Sequence, residues 1–317
     1  MLAQLKFVQG AVAKKDFVPA LSHFAIRSGK ILGYNGQIAL CSPIALTLEA
    51  TPNAKTFIKA IQACGENIQF NMTPANKLSI KSGSFKAFVA CVENETFPTV
   101  EPTGVEMDPP HDFMDAIETL APFVSEDASK QWSRGIMFRG QSAFATNNVI
   151  LLEYWLGTPF PHELNIPAEC IAELLRIKED PVKLMVADNS ISFLYEGGRW
   201  LHSSLYSTDW PDVSNFLEFG GHPEPVPAGF FEAVEALKPF TDKLDSIYLL
   251  EDEITTSLEE GEGASIDVKG VLGKARYSAE HLLLLKDVVT LVDFSHYPNP
   301  GCLRGKNVRG RFTGMRL

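Results

Sequence analysis

Apolar positions along this chain alternate between two periods. In "AKTFIKAIQACG", Phe57, Ile58 and Ile61 stand three and four residues apart, the spacing of one helix face. "PAECIAELLRI" repeats the pattern with Ile171, Leu174 and Leu175, and "SAEHLLLLKDV" with Leu282 and Leu285. After each helix the period drops to two. "KLSIKSG-SFKAFVACV", "SISFLYEGG-RWLHSSLYS" and "GCLRGK-NVRGRFTGM" each predict a hairpin, broken by Gly or Asn at the turn. The paired glycines of "FLYEGGRW" read as such a turn.

A second helix-then-strand pattern precedes each of these blocks. "LAQLKFVQGAVAKKD", "PHDFMDAIETLAPFVSED" and "PAGFFEAVEALKPFTDK" predict amphipathic helices. The strand-like stretches "HFAIRSGKILGYNGQIALC", "RGIMFRGQSAFATNNVILLEYW" and "DSIYLLEDEITTSLEEGEGASIDV" follow them. The chain therefore repeats one unit three times: helix, strands, helix, strands, over roughly 100 residues, a common domain size. Aromatic-Pro pairs, Phe97-Pro98 and Trp210-Pro211, close the first two units. The expected domains are 1–103, 104–220 and 221–317, the second boundary lying in the Gly/Pro-rich "FGGHPEPVPAG". The fold class is α+β, three repeated domains of two helices plus antiparallel sheets. Exposed strand edges must be covered or paired. Equal units that continue their sheets into one another make an arc, and two arcs can close a ring without a free edge. Three α+β domains merely strung in a row are the plainer alternative.

Composition excludes more than it selects. The 317 residues are 45% hydrophobic and 21% charged, ordinary globular values. No apolar run approaches the roughly 20 residues of a membrane span. The amino-terminal stretch lacks the pattern of a signal peptide, so a soluble cytoplasmic protein is expected. Five scattered cysteines, 41, 64, 91, 170 and 302, have no metal-ligand spacing and predict buried thiols, without disulfides or zinc. There is no P-loop and no G-x-S-x-G nucleophile elbow, and the seven histidines show no ligand spacing. "LEDEITTSLEEGEGASID" lacks the spacing of a calcium loop and reads as an exposed acidic hairpin. No catalytic residue, metal or cofactor is expected.

Several segments, in order, resemble the bacterial DNA polymerase β sliding clamp family, and the likeness spans the chain as a three-domain pattern. "VSEDASKQWSRGIMF" resembles the family's acidic loop leading to a Gly and an apolar strand. "FATNNVILL" stands where the family has Ala-Thr-Asp-Gly-His-Arg-Leu. "STDWPDVSNFL" is similar to its Gly-x-Phe-Pro-Asp-Tyr segment, and "GMRL" to its Met-Arg-Leu end. The chain departs at Asn147, Asn148, Val149 and Ile150 and is shorter than the usual bacterial member. That suggests a divergent member, of bacterial or phage origin.

The resemblance implies a homodimeric ring that encircles duplex DNA and tethers a polymerase. Sliding needs contacts that do not read sequence, and Lys and Arg on phosphates meet that need. The net charge of −11 argues against such a partner unless the basic residues are segregated. They are unevenly spread: 10 basic against 6 acidic residues in 1–103, 7 against 18 in 104–220, and 11 against 15 in 221–317. Candidate DNA contacts are Lys6, Lys14, Lys15, Lys55 and Lys59, then Lys130, Gln131, Arg176 and Lys178, then Lys243, with Lys238 and Lys286 beside it. Lys15, Lys130 and Lys243 follow the first helix of their units at matching positions. Each lysine reads equally as part of a solvated helix face. Asp112, Asp115 and Glu118 sit poorly with a uniformly basic bore.

The family also receives polymerase and clamp loader through short peptides with apolar anchors, in a groove between its second and third domains. The matching positions are Thr146, Asn148, Val149, Ile150 and Leu151, then Pro211, Asn215 and Phe216, then Thr313, Gly314, Met315, Arg316 and Leu317. On this reading the last residues are apolar because they wall a groove, with Met315 as an adaptable surface. Alternatively they finish the core face of the last strand. Two other classes stay open: a non-catalytic structural ring of the same architecture, without basic bore or groove, and an enzyme with a polar cluster in a domain cleft.

Overall fold

The computed structural model describes residues 1–14, 18–207, 209–218 and 220–317. The three first helices form at Leu2–Val8, Phe113–Leu120 and Phe230–Leu237. Each passes into one 3-10 turn, at Gln9–Ala11, Ala121–Phe123 and Lys238–Phe240. In the second and third repeats Pro122 and Pro239 enforce this, because a proline cannot donate to the preceding helical turn. The second helices form at Ala54–Gln62, Ala168–Ile177 and Ala279–Leu284. Two have side-chain caps: Asn53 accepts from the Thr56 amide at 3.1 Å and Ser278 from the His281 amide at 3.3 Å.

The chain divides into two compact units, Met1–Pro109 with Glu169–Leu205, and Pro110–Ala168 with Tyr206–Leu317. The division runs through the middle repeat, and strand pairing is the reason. In the first unit a seven-stranded antiparallel sheet runs Ala25–Arg27, Lys30–Tyr34, Ile38–Pro43, Arg199–Ser204, Ser190–Tyr195, Lys183–Ala187, Val105–Met107. Strands of the first repeat thus pair directly with strands of the second, Ile38 opposite Ser203 and Cys41 opposite Trp200. A four-stranded sheet, Thr51–Pro52, Phe85–Val92, Lys77–Ser82 and Gln69–Met72, completes this unit.

The second unit is built alike. Its six-stranded sheet runs Glu224–Pro225, Leu291–Val292, Gly301–Gly305, Val308–Phe312, Ile150–Pro167, Gly135–Thr146. Here the second repeat pairs with the third, Ile150 opposite Phe312 and Glu153 opposite Arg309. The hairpins Ala25–Cys41 and Met137–Glu153 align without a gap, which makes Ile38 the counterpart of Ile150 and Cys41 that of Glu153. Both junctions therefore begin at the same position of the hairpin. A slip of one residue would turn every side chain to the other face. A four-stranded sheet, Ser265–Asp267, Glu253–Thr255, Ser246–Leu250 and Ala275–Ser278, carries the acidic hairpin. The expected continuation of sheets from repeat to repeat is thus present within each unit.

Each large sheet buries one face under helices and carries a smaller apolar cluster on the other. Ile26, Ile31, Leu40 and Leu201 are fully buried in the first unit, as are Leu5 and Val8 of the first helix. Gly33 permits that approach, since a Cβ there would lie 2.9 Å from the Val8 carbonyl oxygen. On the opposite face Ala39, Cys41 and Trp200 pack together with Leu32, Tyr34 and Val100. In the second unit Met137, Leu151, Trp210 and Leu217 form the matching cluster, with Trp132, Phe144 and Val213 against it. One strand exceeds the expectation: Ile150–Pro167 continues well past Trp155. Its pairing with Gly135–Thr146 shifts register on both sides of Phe160, so the Gly- and Pro-containing "LGTPFPHELNIP" is a bulged strand.

Candidate functional site

The hairpin turn between Thr146 and Ile150 is closed by side-chain hydrogen bonds. Asn147 Oδ1 accepts from the amides of Val149, at 3.1 Å, and Ile150, at 2.8 Å. Asn148 takes a left-handed φ of 71°, which asparagine tolerates better than most residues. Thr146 Oγ1 donates to the Ile150 carbonyl at 2.8 Å and accepts from the Asn148 amide at 3.0 Å. The exposed Asn148 amide group donates to Ser125 Oγ and its carbonyl oxygen accepts from Lys130 Nζ, each at 3.0 Å. The "VSEDASKQW" loop and the "TNNVI" turn are thereby one hydrogen-bonded surface. Asp127 in that loop is held below the usual carboxylate range by hydrogen bonds from Ser129.

The segment Thr313–Leu317 comes to this turn because the preceding strand pairs with Ile150–Tyr154. The Thr313 amide donates to the Val149 carbonyl at 3.0 Å. Beyond it, the Met315 amide donates to the Arg276 carbonyl at 2.7 Å, the Tyr297 hydroxyl donates to the Met315 carbonyl at 2.5 Å, and Arg276 Nη1 donates to the Arg316 carbonyl at 3.0 Å. Arg276 is itself held by Ser246 Oγ, at 2.7 and 3.1 Å. Backbone anchoring leaves the side chains outward: Met315 and Val149 are partly exposed and Leu317 is 55% exposed. Phe216 is 43% exposed on the short helix Ser214–Glu218, and its carbonyl accepts from buried Arg311 at 2.9 Å. Pro211 and Asn215 are exposed.

Three of the candidate groove residues are committed inward. Ile150 has no exposed surface and packs beneath the sheet, opposite Phe312. Leu151 belongs to the cluster around Trp210, and Thr146 turns its hydroxyl to the hairpin. Sequence reasoning missed Asn147, Ser125, Arg276 and Tyr297. The Asn-Asn pair signals a turn. Nothing local marks Arg276 or Tyr297, whose partners lie far along the chain.

In the first unit several candidate cations converge. Lys6, Lys14, Lys55 and Arg176 line one cleft of about 750 Å3, with Gln9, Asn53 and Glu173. Lys6, Lys14, Lys55 and Lys59 are exposed. Arg176 is otherwise engaged: it pairs with Glu173 at 2.6 Å and donates to the carbonyls of Lys6, at 3.2 Å, and Phe7, at 2.7 Å. It covers the last carbonyls of the helix Leu2–Val8, a role that uses most of its donors. Lys178, at a φ of 57°, ends its helix with its amide on the Leu174 carbonyl at 3.1 Å. Lys15 lies outside the described residues. In the second unit Lys130 is tied to Asn148, Gln131 opens a 3-10 turn, and Lys243 is exposed beyond the first helix of its repeat. Lys286 pairs with Glu235 at 3.0 Å.

Burial pushes the Cys170 thiol up to about 12 and the Cys41 thiol up to about 11. None of the five cysteines is joined in a disulfide. Among the described residues no group of three or more His, Cys, Asp or Glu is placed to hold a metal ion, and no helix is long and apolar enough to cross a membrane.

This architecture is the fold of the bacterial β sliding clamps. The chain is similar to the DNA polymerase III β subunit of Pseudomonas aeruginosa, with a TM-score of 0.84 and 19% identity over 100% of this chain and 97% of that one. The β chain of Streptococcus pneumoniae gives 0.85 at 16% identity and the sliding clamp of Bacillus subtilis 0.83 at 15%, with the same coverage. No protein-family model and no curated protein matches the chain.

Proposed function

We propose that this protein is a non-catalytic DNA sliding clamp, a cytoplasmic processivity factor that encircles duplex DNA and tethers a replicative polymerase. The full-length likeness to β clamps carries the reading. Domains 1–103, 104–220 and 221–317 are its three clamp units. The cleft around Lys6, Lys14 and Lys55 supplies phosphate contacts without base readout. Polymerase and clamp-loader peptides dock on the surface of Val149, Pro211, Phe216, Met315 and Leu317, with Asn148 and the backbone orienting them.

Two copies close the ring. The small sheet of the first unit exposes Lys77, Lys81 and Lys86, while that of the second exposes Glu251, Asp252 and Asp267. Opposite charge on two sheets with free edges favours head-to-tail pairing between copies over pairing of like sheets.

Negative-stain microscopy with a solution mass from the same sample tests the reading. A closed ring with a duplex-sized hole at twice the chain mass is expected; a compact particle without a hole at monomer mass refutes it. For the groove, deletion of Arg316 and Leu317 should weaken binding of a polymerase-derived peptide at least tenfold. Unchanged affinity removes the groove assignment.

A further inference from the structure

The gapless match between the two sheet hairpins permits a position-by-position comparison of their outer faces. The second unit fills its face with Met137, Phe144, Leu151 and Trp210, and with Leu217 brought in by the helix Ser214–Glu218. The first unit has Ala25, Leu32, Ala39 and Phe97 at the corresponding positions. Each is smaller than its counterpart. No helix follows Val100 either: the chain reads Glu101-Pro102-Thr103-Gly104 and stays irregular. The missing volume appears as a cavity of about 350 Å3, lined by Ala25, Leu32, Cys41, Val100 and Trp200, with Arg27, Lys30 and Glu101 among its polar walls. That volume lies at the lower end of ligand sites and admits one or two side chains.

We propose that this cavity is a second docking site, for a short extended peptide with an apolar anchor and an acidic flank. Lys30 is exposed at the mouth. Arg27 Nη2 donates to the carbonyls of Asn94 and Phe97, which fixes the guanidinium, while its buried Nε has no hydrogen-bond partner among the described residues. The fixed guanidinium and Lys30 set two positive charges against the single carboxylate of Glu101 along the wall, which favours an acidic ligand. Glu101, exposed, repels a carboxylate on its own side and so orients the peptide with its acidic end toward Lys30. Trp200 is only 8% exposed and offers a flat aromatic wall to the anchor. The site lies wholly within the first unit and stands whether or not the clamp reading holds.

Heteronuclear NMR of the full chain provides the test, because its four tryptophans, 132, 155, 200 and 210, give separate indole signals. The probes are a blocked hexapeptide, Asp-Leu-Phe-Leu-Asp-Asp, and its counterpart with lysine for each aspartate. The acidic peptide should shift the Trp200 signal saturably, and the basic one should not. Lys30→Glu should weaken the acidic peptide about fivefold, the size of one exposed charge pair. Ala25→Met combined with Leu32→Phe, which partly restores the bulk of the second unit, should weaken it at least tenfold. An unmoved Trp200 signal at millimolar peptide, shifts confined to Trp132 and Trp210, or equal response to both peptides would overturn the proposal. Should the filled variant fail to fold, Lys30→Glu decides, since that side chain is exposed: unchanged affinity is also a refutation.

Discussion

Arg176 was expected from its position to meet phosphate, and its geometry ties it to the protein instead. Three of its contacts are internal, to Glu173 and to the carbonyls of Lys6 and Phe7. Arg176→Ala should lower stability by about 1 kcal/mol, given its partial exposure. Lys55→Ala should leave the thermal midpoint in place and weaken DNA binding; a thermal melt beside a DNA titration separates the two. Histidine gives a second prediction. Burial lowers the affinity of His202 for a proton, as it does for His23 and His281. The unfolded chain accepts those protons near pH 6.5, the folded chain only lower. Their contribution is therefore present above about pH 6.5 and is lost as pH falls through the folded values. Urea midpoints should drop between pH 7.5 and 5.5, and His202→Asn should flatten part of that drop.

At the scale of elements, the two junctions are the features that hold the repeats together. Gly310 lies in the second of them, opposite Leu152. A Cβ there would collide with the Leu151 carbonyl oxygen and Leu152 Cδ2. The carbonyl cannot retreat without loosening the ladder, so Gly310→Val should cost about 1–3 kcal/mol. Gly220→Ala, with no atom within 4 Å of the new Cβ, should stay within about 0.5 kcal/mol in the same denaturant series. The helices and hairpins were legible because their periods are local. The long strand Ile150–Pro167 was legible only as far as Trp155, because the Gly- and Pro-containing stretch beyond it lacks a clean period of two and only the partner strand supports its bulges.

For the whole molecule, a net charge of −11 and a basic cleft are compatible because three exposed lysines, Lys6, Lys14 and Lys55, share that cleft while most of the excess carboxylates lie in the second and third repeats. Retention on circular DNA should fall with salt, and neutralising Lys6, Lys14 and Lys55 should reduce the logarithmic salt slope by about 0.9 for each phosphate contact removed. An unchanged slope, measured by filter retention over a salt series, would exclude these three from the DNA surface. The candidate site was legible in part. Phe216, Arg316 and Leu317 are exposed and Val149 and Met315 partly so, whereas Ile150 and Thr146 are committed to the hairpin. Alternation along a strand shows which residues share a face but not which face is covered.

By itself the sequence determined the threefold repeat, the six repeated helices and their hairpins, and the acidic hairpin, since all of these follow from periods and turn residues within a few positions. Tertiary structure alone decided the pairing of repeats through Ile38–Ser203 and Ile150–Phe312, the anchoring of Thr313–Leu317 by Arg276 and Tyr297, and the cavity beside Trp200. The physical reason is separation along the chain: a ladder, a guanidinium contact and an unfilled volume each depend on residues brought together only when the sheet closes.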